Sequence, residues 1–78
     1  MPTILRLFGF RFFFYSNEGN EPPHVHVEKG DATGKYWINP IAEEYMDGFT
    51  KTEKKHVQKI ILDHQEQFLT DWHEHFED

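Results

Sequence analysis

The pattern of apolar residues at the N-terminus predicts two strands joined by a tight turn. The stretch TILRLFGFRFFFYS is rich in β-branched and aromatic residues and is interrupted by one glycine, which places a hairpin turn near Phe8–Gly9. Side chains alternate across a strand, so three phenylalanines of the second strand share one face, and the other face carries Arg11, Phe13 and Tyr15. Because aromatic residues lie on both faces, this strand is expected to be central in the sheet.

Two further strands follow a polar loop. The segment from Asn17 to Pro23 has loop composition, and the alternating stretch HVHVEK predicts the third strand. The turn residues GDATG separate it from KYWIN, the predicted fourth strand. The stretch IAEEYMDGF is ambiguous and could form a fifth short strand. An antiparallel meander is the simplest arrangement of strands that follow one another so closely.

The C-terminal third predicts helix. Thr50 and Glu53 have the spacing of a capping box, and beyond them apolar residues recur with a period near 3.6. No glycine or proline interrupts residues 51–76, which predicts one long helix or two collinear helices with a kink near residues 63–65. The expected fold is therefore α+β, a single domain over residues 1–78. In it, an antiparallel sheet of four or five strands (1–49) packs under the C-terminal helical segment (50–78).

Composition and charge narrow the class of protein. A chain of 78 residues has a thin core, and the absence of cysteine removes disulfides and thiolate metal ligands. Residues 41–78 carry four lysines against ten acidic residues, within a net charge of −6, which argues against non-specific nucleic-acid binding. No leader pattern or membrane-length apolar run is evident, so we expect a cytoplasmic protein without a membrane segment. Thirteen aromatic residues are consistent with a homodimer.

The most specific chemical signal is the strand HVHVEK. Alternation projects His24, His26 and Glu28 from one face, which we expect to be the open face, while the two valines pack under the helix. Two histidines and a carboxylate form a ligand set for zinc, iron, manganese or nickel. Glu28 lies two residues beyond the second histidine along the strand, so a loop carboxylate, Glu21 or Glu18, is an equally good third ligand.

Other interpretations of the same face remain open. Arg11, Phe13 and Tyr15 are expected beside the histidines, and Lys35 and Trp37 of the fourth strand could join them. Basic groups among aromatic rings can hold single-stranded RNA. The histidines could also cleave a phosphodiester as general acid and base, with an arginine on the phosphate and a tyrosine as the orienting group. The simplest alternative is a solvated face stabilised by cross-strand aromatic packing.

Several segments together resemble one family of short bacterial proteins. The stretches MPTILR, FRFFFYSNE, EPPHVHVEK and YWINP, followed by a helix with a late tryptophan, resemble the domain of unknown function DUF4160 over essentially the whole chain. The resemblance implies a small interaction module, one member of a toxin–antitoxin-like gene pair with a small protein partner, which binds through the sheet face around the histidines. It leaves open whether the protein is an enzyme. The matching motif positions are Tyr15, Asn17, Glu18, Glu21, His24, His26 and Trp37.

Overall fold

The computed structural model describes residues 3–76, as five strands followed by two helices. The ends of the predicted domain, residues 1–2 and 77–78, lie outside the described residues. The elements are β1 (Thr3–Leu7), β2 (Phe10–Phe13), β3 (His24–Lys29), β4 (Ala32–Ile38), β5 (Ile41–Asp47), α1 (Lys51–Asp63) and α2 (Gln65–Phe76). The strands form one antiparallel sheet in sequence order. This confirms the predicted meander, and the ambiguous segment forms its fifth strand.

The turn between β1 and β2 lies where the sequence predicts it. Phe8 and Gly9 both have positive φ angles, 52° and 83°. Positive φ at both central residues matches the right-handed twist of the flanking strands. Phe8 adopts a conformation that favours glycine, and its ring lies 4.8 Å from the ring of His56 on α1. The hairpin therefore contacts the helical layer at its tip.

The helical segment is two helices rather than one. The capping box is confirmed, because the Glu53 amide donates to Thr50 Oγ1 (3.1 Å) and the Thr50 amide donates to Glu53 Oε1 (2.9 Å). α1 ends at Asp63, and His64 separates it from α2. The Nδ1 atom of His64 lies 2.8 Å from the carbonyl oxygen of Ile60. The kink predicted near residues 63–65 is thus a break in the helix at His64.

The core lies between the helices and one face of the sheet. Val25 and Val27 are fully buried there, as predicted, together with Val57 and Ile61 of α1 and Phe68 of α2. The rings of Phe12 and Phe68 are 5.5 Å apart. Burying a side chain of this size stabilises the fold by about 1.5–3 kcal/mol. Since one face of β3 is fixed under the helices, its histidines are held on the other face.

Residues of four strands form a row across that other face. Phe13 of β2 is the cross-strand partner of His26 on β3. His26 pairs in turn with Lys35 of β4, which pairs with Tyr45 of β5. Directly opposed residues on neighbouring strands have Cβ atoms about 5 Å apart, so their side chains interact. This row sets the surroundings of His26. No helix within residues 3–76 has the length and apolar character to cross a membrane.

Candidate metal centre

The loop between β2 and β3 places a carboxylate on both strand histidines. Glu18 Oε1 lies 2.8 Å from His24 Nε2 and 2.8 Å from His26 Nε2. The three residues can offer ligand atoms that all lie within 4.8 Å of one another. Ligand atoms about 2.1 Å from a metal ion are about 3.0 Å apart at right angles and about 3.4 Å apart in a tetrahedral site. Small adjustments of the side chains would therefore accommodate an ion between them.

Backbone contacts hold this loop in place. The Glu21 amide donates to the Glu18 carbonyl oxygen (3.1 Å), which closes a turn within the loop. The Ile38 amide donates to the Pro23 carbonyl oxygen (3.1 Å), which ties the loop to the end of β4. The two prolines fix the approach to β3, because their rings restrict the backbone. The carboxylate of Glu18 is thus positioned by local backbone geometry.

His24 has an acceptor next to each of its ring nitrogens. Its Nδ1 atom lies 3.0 Å from the Pro22 carbonyl oxygen, and its Nε2 atom faces the Glu18 carboxylate. A carbonyl oxygen only accepts, so Nδ1 carries a proton, and a neutral imidazole has no second proton for Nε2. The contact with Glu18 then needs either an imidazolium or a cation between Nε2 and the carboxylate. Metal-ligating histidines commonly donate their other N–H to a backbone carbonyl in this way.

The surroundings favour an ionised Glu18 and a neutral His26. Burial is the main cause that lowers the pKa of His26 below its ordinary value of 6.5, and it outweighs the opposing contact with Glu18. Burial raises the pKa of Glu18, but the polar contacts with His24 and His26 and the charge effects of these two residues together outweigh it and bring that pKa below 4.5. A carboxylate and a neutral imidazole are the protonation states in which these groups bind metal ions.

The histidines are not on an open surface, so that expectation is corrected. His24 and His26 are only 1% and 5% exposed. The ring of His26 lies 5.6 Å from that of Phe13 and 4.5 Å from that of Tyr15. The ring of His24 lies 4.8 Å from that of Trp72 on α2. Aromatic side chains and the Glu18 loop therefore cover a sheet face that alternation alone leaves open.

The other two candidate carboxylates pair with basic residues instead. Glu28 Oε1 accepts from Arg11 Nη1 at 2.6 Å, and Glu21 Oε1 accepts from Lys35 Nζ at 2.9 Å. Neither carboxylate joins the two histidines in the candidate ligand group, which contains Glu18. Of the three carboxylates that the sequence offered, the structure brings the loop residue Glu18 to the histidines.

The other residues predicted for the site lie around Glu18, His24 and His26 and differ in their contacts with them. Trp37 lies over His24 with ring centroids 5.4 Å apart, and its Nε1 donates to Glu44 Oε1 (3.1 Å). The Arg11 guanidinium lies 4.4 Å from the centroid of the Phe13 ring, and the cross-strand partner of Arg11 on β3 is Glu28. Asn17 is exposed in the loop beside Glu18. Of the residues predicted to be catalytic, Tyr15 contacts His26, whereas Arg11 forms an ion pair with Glu28.

Three contributors to the site were not found in the sequence. The Pro22 carbonyl is a backbone group, so no side-chain pattern indicates it. Trp72 lies on the apolar stripe of the helical segment, and only the packing of α2 brings it to His24. Tyr45 joins the row of His26 through the register of β4 and β5. Alternation along IAEEYMD could not have placed this tyrosine beside Lys35, because a register shift opposite Lys35 and Tyr36 sets the pairing.

Comparison with known proteins supports the family resemblance. The profile of the domain of unknown function DUF4160 matches residues 9–73, which include all the residues of the candidate metal centre. Comparisons with curated proteins and with solved structures return no match for this chain. Because the profile covers most of the sequence, the chain belongs to the DUF4160 family.

Proposed function

We propose that this protein binds a divalent transition-metal ion through His24 Nε2, His26 Nε2 and the carboxylate of Glu18. The observation that carries the proposal is the contact between His24 Nδ1 and the Pro22 carbonyl oxygen, 3.0 Å. This contact directs the lone pair of a neutral His24 ring toward the carboxylate. An imidazolium or a bound cation would stabilise this contact, and we assign the cation because one oxygen of Glu18 lies next to both Nε2 atoms.

The ligand set indicates the class of metal. Two imidazoles and one carboxylate suit zinc, iron(II), manganese or nickel, and the chain has no cysteine that would favour copper(I). The ion would also join the loop to β3, because Glu18 precedes the strand that carries both histidines. Such a link would stabilise a chain of this size, since its hydrophobic core is small.

Metal content after purification tests the proposal. The wild-type protein, dialysed against zinc, manganese, iron(II) or nickel salts, is expected to retain about one equivalent of at least one of them. His26→Gln removes one ligand and is expected to abolish retention. His56→Gln is the matched control, because His56 is exposed on α1 and lies outside the ligand group. A wild-type protein that retains none of the four metals contradicts the proposal.

Metal-dependent hydrolysis is a second candidate. A set of three protein ligands supports it, since catalytic zinc sites have three protein ligands and a water in the fourth position, where the ion lowers the pKa of that water. RNA is the substrate class to test first, as the sequence suggested a phosphodiester. Cleavage of RNA by the metal-loaded wild type, and its loss in the His24→Ala/His26→Ala protein, are the expected results. Equal cleavage by both proteins would exclude the assignment.

A role as an interaction module remains a proposal as well. Exposed aromatic residues on the face of the metal centre, Tyr15 and Tyr45, support a contact there. Both edge strands carry a register shift, between Thr3 and Leu5 in β1 and opposite Lys35–Tyr36 in β5. Such bulges hinder strand addition at an edge, which favours the face over the edges. Co-purification with the product of an adjacent gene tests this role, and no complex at micromolar concentration would contradict it.

A further inference from the structure

We propose that the metal site takes a small oxyanion as its additional ligand, and that Lys35, Tyr15 and Tyr45 select this anion. The inference rests on the proposed metal-binding function and goes beyond it, since it names the chemical class of ligand that the bound ion would take. It depends on access, on the position of Lys35 and on the charge of the site.

The residues around the ligand group differ in their exposure to solvent. Phe13 and Trp72, which contact the two histidines, are almost completely buried. Tyr15 and Tyr45 are each 38% exposed, and Glu18 is also partly exposed. The side of the ligand group that is nearest to solvent is therefore the side of Glu18 and the two tyrosines.

Lys35 lies between the metal ligands and the outer tyrosine. It is the cross-strand partner of His26 on one side and of Tyr45 on the other. Its positive charge acts on the pKa of both residues, and the ring of Tyr15 lies 4.5 Å from the ring of His26. The lysine and both tyrosines therefore lie beside His26 on the same face of the sheet.

These residues offer hydrogen-bond donors to an anion. An ammonium group has three N–H donors, and Glu21 accepts one from Lys35 at 2.9 Å. The ammonium is held in place, since it also lies 4.6 Å from the centroid of the Trp37 ring. Burial raises the pKa of Tyr45 above 10, so its phenol keeps its proton and can donate at neutral pH.

Charge decides between an anion and a neutral ligand. A divalent ion with the single carboxylate of Glu18 leaves one positive charge on a centre whose histidines are buried. Lys35 and Glu21 form an ion pair and cancel each other. A buried charge without a partner is unfavourable. A monoanion that binds the metal and accepts a hydrogen bond from Lys35 neutralises the site, whereas a neutral ligand does not.

Cobalt(II)-substituted protein provides the test, because ligand exchange at cobalt changes its visible spectrum. Acetate and inorganic phosphate are titrated as two oxyanions, and imidazole is titrated as a neutral ligand. We expect Lys35→Gln to weaken binding of at least one oxyanion about tenfold and to leave imidazole binding unchanged, with Tyr45→Phe weakening the same oxyanion about threefold. Lys35→Arg should restore most of the affinity. Lys59→Gln is the control, because Lys59 lies on α1 and pairs with Asp63 there.

The outcomes separate this inference from the metal proposal. Lys35-dependent binding of either oxyanion supports the inference, and the anion that responds identifies carboxylate or phosphate as the preferred group. Oxyanion affinities that are equal in wild type and Lys35→Gln overturn it, as does a loss of imidazole binding equal to the loss of oxyanion binding. If the wild type binds no cobalt, zinc, manganese, iron(II) or nickel, the metal proposal itself fails.

Discussion

The Nδ1 atom of His24 lies 3.0 Å from the carbonyl oxygen of Pro22, two residues earlier in the chain. This contact fixes which nitrogen of the ring keeps its proton, and so it determines what Nε2 can do. Nε2 and the corresponding atom of His26 both lie 2.8 Å from one oxygen of Glu18. The two prolines before β3 thus have a chemical consequence as well as a structural one, because they position the carbonyl that orients a candidate ligand.

Bound metal should raise the stability of the wild-type protein. A ligand that binds only the folded state adds about 2.7 kcal/mol to the free energy of unfolding at a free concentration 100 times its Kd. For a domain of this size, each kcal/mol raises Tm by about 4–8 °C. We expect a zinc-dependent increase in Tm that chelator reverses. His26→Gln should show no such increase, and His56→Gln should behave as the wild type does.

The third ligand can be identified by comparing three conservative variants. Glu18→Gln removes the charge next to both histidines and should weaken metal binding at least tenfold. Glu21→Gln and Glu28→Gln should stay within about threefold of wild type, because these carboxylates pair with Lys35 and Arg11. The Kd of zinc, measured by calorimetry, gives the comparison. A larger loss in Glu28→Gln than in Glu18→Gln would place the third ligand on the strand instead of the loop.

How far the sequence predicts this site depends on the type of contact involved. Alternation along a strand is a local rule, so the shared face of His24 and His26 could be predicted from HVHVEK. The choice of Glu18 over Glu28 could not, because it depends on a turn in the loop and on the cross-strand pair of Arg11 with Glu28. Burial of the histidines was missed because it depends in part on Trp72, nearly fifty residues away.

The fold followed more directly from local patterns. The strand alternation, the turn at Gly9 and the capping box at Thr50 each involve residues a few positions apart, and all three appear in the structure. The break at His64 was one of two alternatives, since no proline or glycine marks it. What distinguishes this position is that His64 Nδ1 lies 2.8 Å from the Ile60 carbonyl oxygen, which also accepts from the His64 amide (3.0 Å).

Acid should destabilise the metal-free protein in two steps. Both His26 and Glu18 have a pKa below the ordinary value. A group whose pKa is lower in the folded state contributes stability above its unfolded pKa, and this contribution is lost as the pH falls through the folded pKa. The free energy of unfolding should therefore begin to fall below pH 6.5, because of His26. A second decrease should begin below pH 4.5, because of Glu18.

Urea unfolding in the presence of chelator, at several values between pH 7.5 and 3.5, measures this dependence. His26→Gln lacks the first titrating group and should show a weaker dependence of unfolding free energy on pH between about 6.5 and 5. His56→Gln should keep the wild-type slope. Equal slopes in all three proteins over that range would contradict the assignment of the first step to His26.

Gly34 on β4 should be intolerant of a side chain. A Cβ at this position would meet the sulfur of Met46 and would lie 3.0 Å from the Tyr45 carbonyl oxygen. Because the carbonyl belongs to the neighbouring strand, the backbone would have to shift. We expect Gly34→Ala to lower the free energy of unfolding by about 1–3 kcal/mol. Thr33→Ala, at an exposed position on the same strand, should change it by less than about 0.5 kcal/mol. Urea denaturation of both variants gives the values.

The most direct test of the central claim is anomalous diffraction from crystals grown with zinc or cobalt. The account predicts one strong peak per chain, about 2.0–2.2 Å from His24 Nε2, His26 Nε2 and a Glu18 oxygen, with His24 Nδ1 still in contact with the Pro22 carbonyl. A metal-soaked crystal with no peak at these three side chains, and with the direct contacts between Glu18 and the histidines retained, would contradict it.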